Sequence, residues 1–139
     1  MAFNVLTIDF LSEDAPKKLV KSLKNTGFAI LKNHPIPIEL LNEVYSDWEI
    51  FFNSNKKHNY PFHKDKQDGY FPFQSENASG YDKKDLKEFY HIYPWGRYPI
   101  EINEQTKLFY ELMLSLGEEL LDWIDFSCPK NISKHFSIP

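Results

Sequence analysis

Apolar positions along this 139-residue chain follow two rhythms. Three stretches repeat them every three or four residues, as a helix with one buried face does, and three short runs gather or alternate them in the manner of strands. Val5 to Phe10 is a β-rich run. Ser12, Glu13 and Asp14 then supply helix-start signals, with Pro16 in the first turn, Leu19, Val20 and Leu23 on one side, and Gly27 where a C-terminal cap belongs. Phe28 to Leu31 resumes a short buried strand, which Asn33, His34, Pro35 and Pro37 break. A second helix begins near Ile38 and places Ile38, Leu41, Tyr45, Trp48 and Phe52 on one face.

From Asn53 to Asp85 the rhythm fails, and the stretch reads as a long loop with one extended piece at the aromatic island Tyr70-Phe71-Pro72-Phe73. Loops of this length inside a compact domain are functional or pack against something else. Leu86 to Tyr93 alternates as a strand, with Leu86, Glu88, Tyr90 and Ile92 on one face and Lys87, Phe89, His91 and Tyr93 on the other. Asn103 caps a third helix, whose stripe of Phe109, Leu112, Met113, Leu116, Leu120 and Ile124 runs through Asp125. Past Pro129, residues Lys130 to Pro139 read as the start of another helix. The fold class is α+β, with helices packed on a few short strands, and residues 1–139 count as one region. No hairpin signal joins any two strands, and isolated short strands do not make a stable sheet, so their partners are expected beyond Pro139.

Composition narrows the classes. Aromatic residues reach 17%, which predicts an aromatic-rich core. A net charge of −4 offers no basic face for a phosphate backbone, so nucleic acid is not an expected partner. Arg97 is the only arginine, which leaves other groups to hold any anionic substrate. The lone Cys128 cannot close an intramolecular disulfide, and no charged-then-apolar leader precedes Asp9, which points to a reducing, cytoplasmic setting. No window nears the roughly 18 consecutive apolar residues that span a bilayer, so no membrane partner is expected.

Candidate chemistry is sparse. Of the histidines at 34, 58, 63, 91 and 135, only His63 has ligand-like spacing: His63-Lys64-Asp65 forms two arms of a facial triad that needs a third ligand such as His91 or His135. The pair lies in a polar, lysine-rich loop, where rigid support is lacking, and coincidence is the preferred reading. His34 beside Asn33 reads as a residue that ties off turn backbone, and Glu88 as a carboxylate paired with a lysine. There is no nucleophile elbow and no glycine-rich phosphate loop.

Five segments in order carry a resemblance: Val5-Leu6-Thr7-Ile8-Asp9, Gly27-Phe28-Ala29-Ile30-Leu31-Lys32-Asn33-His34, Phe51-Phe52 followed by Lys56, Asp68-Gly69-Tyr70, and Asp85-Leu86-Lys87-Glu88-Phe89. Together they resemble the N-terminal region of the iron(II)- and 2-oxoglutarate-dependent dioxygenases of the isopenicillin N synthase-like group. Pro35 stands where that family commonly has glycine. The resemblance implies that the strands extend a double-stranded β-helix, or jelly roll, whose main part lies outside this chain together with the family's H-x-D, distal His and Arg-x-Ser. Arg97 is followed by Tyr98 and Pro99 and does not match that clamp.

On this reading the chain is the N-terminal scaffold and part of the substrate pocket of a non-haem oxidoreductase acting on a small organic substrate. Tyr70, Phe71 and Phe73 are the expected pocket residues. Fe(II) and 2-oxoglutarate belong to the complete enzyme; no catalytic, cofactor or metal residue is assigned here, and the chain alone is expected to be inactive. Unpaired strands make self-association a further expectation. The alternative is a non-catalytic binding or assembly module that docks a partner through its aromatic loop and strand edges.

Overall fold

The computed structural model describes residues 4–77, 80 and 82–128, so the helix expected after Pro129 lies outside the described residues. The chain divides into two compact units, Met1–Leu40 with Lys107–Pro139, and Leu41–Thr106. None of the described helices is long and apolar enough to cross a membrane.

The first unit is built on a β-α-β crossover. Strand β1 (Thr7–Asp9) leads into helix α1 (Ala15–Thr26), which returns the chain to strand β2 (Ile30–Lys32). The strands pair in parallel, Ile8 opposite Leu31, because a helical crossover brings the second strand back in the same direction. Pro16 sits in the first turn of α1, where its missing N–H costs no helical bond, and Gly27 ends the helix at φ 76° with its N–H on the Leu23 carbonyl. The core is Ile8, Ala15 and Leu19, packed by Leu23 and Leu31 and by Leu120, Trp123 and Ile124 of helix α3 (Gln105–Ser127). Buried Ser22 joins the strands to the helix: its Oγ accepts from Leu6 N at 3.2 Å and donates to the Phe28 carbonyl at 2.6 Å.

The second unit gathers aromatic rings around a two-stranded antiparallel ribbon. Strand β3 (Gly69–Phe71) pairs with strand β4 (Phe89–His91), Tyr70 opposite Tyr90. Alternation sends Tyr70 and Tyr90 to the face that meets Phe51, Phe52 and Trp48 of helix α2 (Ile38–Asn53), and Phe71, Phe89 and His91 to the other. Burial among these rings pushes the Tyr90 hydroxyl up to about 12. Trp48 Nε1 donates to Thr106 Oγ1 at 3.0 Å, which satisfies the indole N–H inside the cluster. A 3-10 turn, Asn55–Asn59, follows α2.

Four expectations need correction. The strands near residues 5, 28 and 86 do not all wait for outside partners: β1 and β2 pair with each other, and β4 pairs with β3, which lies at the extended piece expected inside the long loop. Ladders of three residues are too short for periodicity to reveal. Phe28 to Leu31 is not fully buried: Phe28, just before β2, is exposed, and so is Ile30 on a sheet of two strands among the described residues. On α2 the covered arc is Leu40, Val44 and Phe51 with half-buried Leu41, Trp48 and Phe52, whereas Ile38 and Tyr45 face solvent. On α3, Leu116 is buried and Phe109, Leu112, Leu120 and Ile124 half-buried as expected, but Met113 is exposed.

Candidate functional site

The polar groups of the second unit are held by two constructions on the β3–β4 ribbon. One starts at Asp68, immediately before β3, whose side chain has no solvent exposure. Its oxygens accept from Arg97 Nε at 3.1 Å and Nη2 at 3.0 Å and from the Arg97 backbone N–H, while Nη2 also donates to the Pro61 carbonyl at 2.6 Å. Hydrogen bonds from Arg97, outweighing burial, hold the Asp68 carboxyl below the ordinary aspartate value and raise the guanidinium's own. Glycines on both sides let the backbones close in. A Cβ on Gly69, at φ 112°, would lie 2.7 Å from Arg97 Nη2 and 2.8 Å from the Pro61 and Tyr60 carbonyls, and one on Gly96 would lie 2.9 Å from the Asp68 Cβ.

The second construction is Lys57, Glu88 and Tyr70. Glu88 Oε2 takes the Tyr70 hydroxyl at 2.5 Å and the Lys57 ammonium at 2.8 Å, and Lys57 donates also to the Phe52 carbonyl at 2.5 Å. Burial is the largest influence on Glu88 and opposes its charge, yet the hydrogen bonds from Lys57 and Tyr70 together with the Lys57 charge outweigh it and keep the carboxyl below its ordinary value. Burial, then Glu88, raises the Tyr70 hydroxyl, and Glu88 raises Lys57. Both constructions are closed: their charges are spent on one another, so neither offers a free acid, base or anion clamp.

The expected pocket residues separate. Tyr70 is 3% exposed and belongs to the aromatic core, with its hydroxyl on Glu88. Phe71 stands on the opposite face of the ribbon, half-buried between Phe62 and Phe89, each 4.4 Å away by ring centroid, with His91 at 4.8 Å. Phe73, just beyond the strand, is 54% exposed.

His63, His34 and the lone arginine take structural places, whereas His91 Nδ1 is buried without a hydrogen-bond partner among the described residues. His63 Nδ1 accepts the Lys66 N–H at 3.3 Å across a tight turn, and its backbone pairs with Asp68. His34 Nδ1 accepts the Ile36 N–H at 3.3 Å, while Asn33 Nδ2 donates to both Asp9 oxygens at 3.0 Å, joining the C-terminal ends of β1 and β2. His135 lies outside the described residues. Among the described residues no three His, Cys, Asp or Glu side chains come together as a metal ion requires. Arg97, the one group that could grip a carboxylate bidentately, is already committed to Asp68. The described residues of this chain therefore do not fit an iron or oxo-acid site. The sequence reading missed the Asp68–Arg97 clamp; its signal was a glycine beside each partner and a single arginine in the chain.

Residues 7–112 match the family described as non-haem dioxygenase in morphine synthesis N-terminal. The chain belongs to this non-haem dioxygenase N-terminal family. A crystal structure from Shewanella oneidensis, assigned as an oxygenase, is similar to the dioxygenase N-terminal region seen here, with a TM-score of 0.84 and 41% identity over 98% of this chain and 47% of its own. A Caulobacter crescentus structure, assigned to the 2OG-Fe(II) oxygenase family, shares the fold at a TM-score of 0.66 and 23% identity, over 88% of this chain and 48% of its own. The dioxygenase N-terminal region thus spans about half the length of these solved relatives. No curated protein sequence matches it.

Proposed function

We propose that this chain is the scaffold and one wall of the substrate pocket of a non-haem Fe(II)/2-oxoglutarate-type oxidoreductase that acts on a small organic substrate. The observation that carries the reading is the family match across residues 7–112, joined to coverage of only 47% of the Shewanella relative. Iron and 2-oxoglutarate belong, on this reading, to the other half of a complete enzyme, where iron supplies oxygen activation. What the present residues supply is position. The Asp68–Arg97 clamp fixes the start of β3, Tyr70 anchors the strand from inside through Glu88, and Phe71 and Phe73 emerge on the side away from the core as the apolar wall.

Two features support attachment to a larger sheet. A parallel pair of strands is ordinarily covered on both faces and flanked by further strands, yet among the described residues β1–β2 stands as two strands with Ile30 exposed. In the complete enzyme these strands extend a jelly roll, and the same open edges are the route by which the isolated chain self-associates. The setting is cytoplasmic, in keeping with the lone Cys128.

The test joins residues 1–139 to the part of the Shewanella protein that the match leaves uncovered. With Fe(II) and ascorbate, the chain alone should form no succinate from 2-oxoglutarate, and the folded fusion should form it. Succinate production by the chain alone, or a folded fusion that leaves 2-oxoglutarate untouched, contradicts the reading.

A further inference from the structure

The outer face of the β3–β4 ribbon carries a continuous row of rings. Centroid distances run 4.4 Å from Phe62 to Phe71, 4.4 Å on to Phe89, 4.9 Å to His91, 6.0 Å to Tyr93 and 4.9 Å to Trp95. Within the row the cross-strand pair Phe71–Phe89 stacks at 14°. His91 is half-buried, and its Nδ1 is sealed without a partner among the described residues. A sealed polar atom left unpaired costs stability, and a phenylalanine would fill the row without that cost. The seal also decides where the neutral imidazole holds its proton. A buried N–H without an acceptor is rarer than a buried lone pair, so the proton belongs on Nε2. With Nδ1 closed off, Nε2 is the nitrogen through which the ring can meet a ligand, and there it donates. Charge narrows the ligand further. The cation over this face, Lys87 at 4.9 Å from the Phe89 ring centre, is held by Asp85 at 3.2 Å and Glu76 at 3.5 Å, so an anion would meet two carboxylates beside one ammonium.

We infer that His91 is a specificity-determining residue of the pocket wall, donating its Nε2 proton to an uncharged carbonyl oxygen on a flat ring that lies against Phe71 and Phe89. The inference deepens the pocket-wall reading above and rests on it. A carbonyl accepts close to its own plane, so a conjugated ring can stack on the phenyl rings while its oxygen reaches the imidazole edge. A hydroxyl in that place would bring a donor of its own into an apolar row. The indole N–H at the far end of the row does not compete for the oxygen, because Trp95 Nε1 already donates to the Lys66 carbonyl at 3.2 Å. His91 thus supplies the polar point of an otherwise aromatic wall, the arrangement that fixes a ligand's orientation.

The test follows the imidazole in the 139-residue chain, with neither iron nor 2-oxoglutarate added. Long-range proton–nitrogen NMR of the histidine rings at mildly alkaline pH should show the His91 proton on Nε2; a proton on Nδ1 overturns the inference. Acetophenone is then titrated, with ethylbenzene as the probe that keeps the ring and lacks the acceptor. We expect acetophenone to move the signals of Phe71, Phe89 and His91. His91→Phe should bind it about fivefold more weakly and bind ethylbenzene no worse. His91→Gln, which offers an amide N–H at similar reach, should recover acetophenone binding. Equal acetophenone affinity in wild type and His91→Phe, or no shift in the wild type, overturns the inference. His91→Leu takes the place of His91→Phe if the latter does not fold. Succinate formation by the fusion is read separately. A fusion that forms succinate while His91→Phe binds acetophenone as the wild type does sinks this inference alone. A His91-dependent acetophenone site in a chain whose folded fusion leaves 2-oxoglutarate untouched sinks the oxygenase reading and leaves the His91 contact as a ligand site.

Discussion

The Asp68 carboxylate, sealed from solvent, receives Arg97 Nε and Nη2 at 3.1 and 3.0 Å across 29 residues of sequence. The pair ties the turn before β3 to the segment after β4. Removing one member of such a pair leaves the other in a site arranged for a partner, which costs more than the pair itself contributes. Asp68→Asn should therefore lower stability by about 2–4 kcal/mol, read from urea unfolding at neutral pH. The pH dependence has a definite sign. The folded carboxyl titrates below the ordinary 3.8, so its contribution is full above that value and disappears as pH falls through the lower folded value. Wild type should lose stability more steeply than Asp68→Asn below about pH 4. Parallel acid unfolding curves for the two would show that the clamp contributes nothing.

Gly69 and Gly117 should respond to alanine in opposite directions. At Gly69 a Cβ meets Arg97 and two carbonyls under 3.0 Å, on a backbone at φ 112°. We expect Gly69→Ala to destabilise by about 1–3 kcal/mol or more. Gly117 lies in regular helix with open space around it, and Gly117→Ala should stabilise by up to about 1 kcal/mol. Thermal unfolding of both variants checks the pair, and a neutral Gly69→Ala would refute the close approach.

Much of the local structure was legible and the long-range pairing was not. Pro16 and Gly27 bracket α1, Ile38 opens α2, and the alternation of Glu88, Phe89, Tyr90 and His91 matches the faces of β4, because caps and periodicity act within a few residues. Pairing of β1 with β2 or β3 with β4 is decided by partners 18 or more residues away and by only three ladder positions each. The phase of α2 was misjudged because Ile38 and Tyr45 fit the spacing as well as Leu40 and Val44 do. The family could be read because its five segments are the joints of this fold. Asp9 meets Asn33 at the strand ends, Asp68-Gly69 forms the clamp, and Glu88 holds Tyr70.

His63 and Asp65 test the metal question directly. The imidazole accepts a turn N–H, so His63→Ala should cost about 1 kcal/mol or less and leave metal content unchanged. Elemental analysis after loading with Fe(II) or Zn(II) and desalting should find less than one equivalent in either protein. Stoichiometric metal in the wild type that His63→Ala abolishes would restore the pair as ligands.

Lys57, Glu88 and Tyr70 share one carboxylate oxygen, so their substitutions should not add. Tyr70→Phe leaves the ion pair in place and should cost about 0.5–1.5 kcal/mol. Lys57→Met strands a largely buried carboxylate and should cost more, about 1–3 kcal/mol. Adding Glu88→Gln to Lys57→Met should recover part of that loss, because the uncompensated charge is gone. The pH dependence separates charge from packing. In the wild type Glu88 titrates below the ordinary 4.5, so its contribution is present above that pH and fades below it. Without Lys57, burial is opposed only by the Tyr70 hydrogen bond and the His58 charge, so the carboxyl rises relative to the wild type and the variant gains less from ionisation as pH rises. Both effects act in one direction: the stability gap between wild type and Lys57→Met should narrow from pH 7 to pH 4. A gap that stays constant across that range would mean that Lys57 acts on Tyr70 through its aliphatic stem and the cation over the ring, not through Glu88.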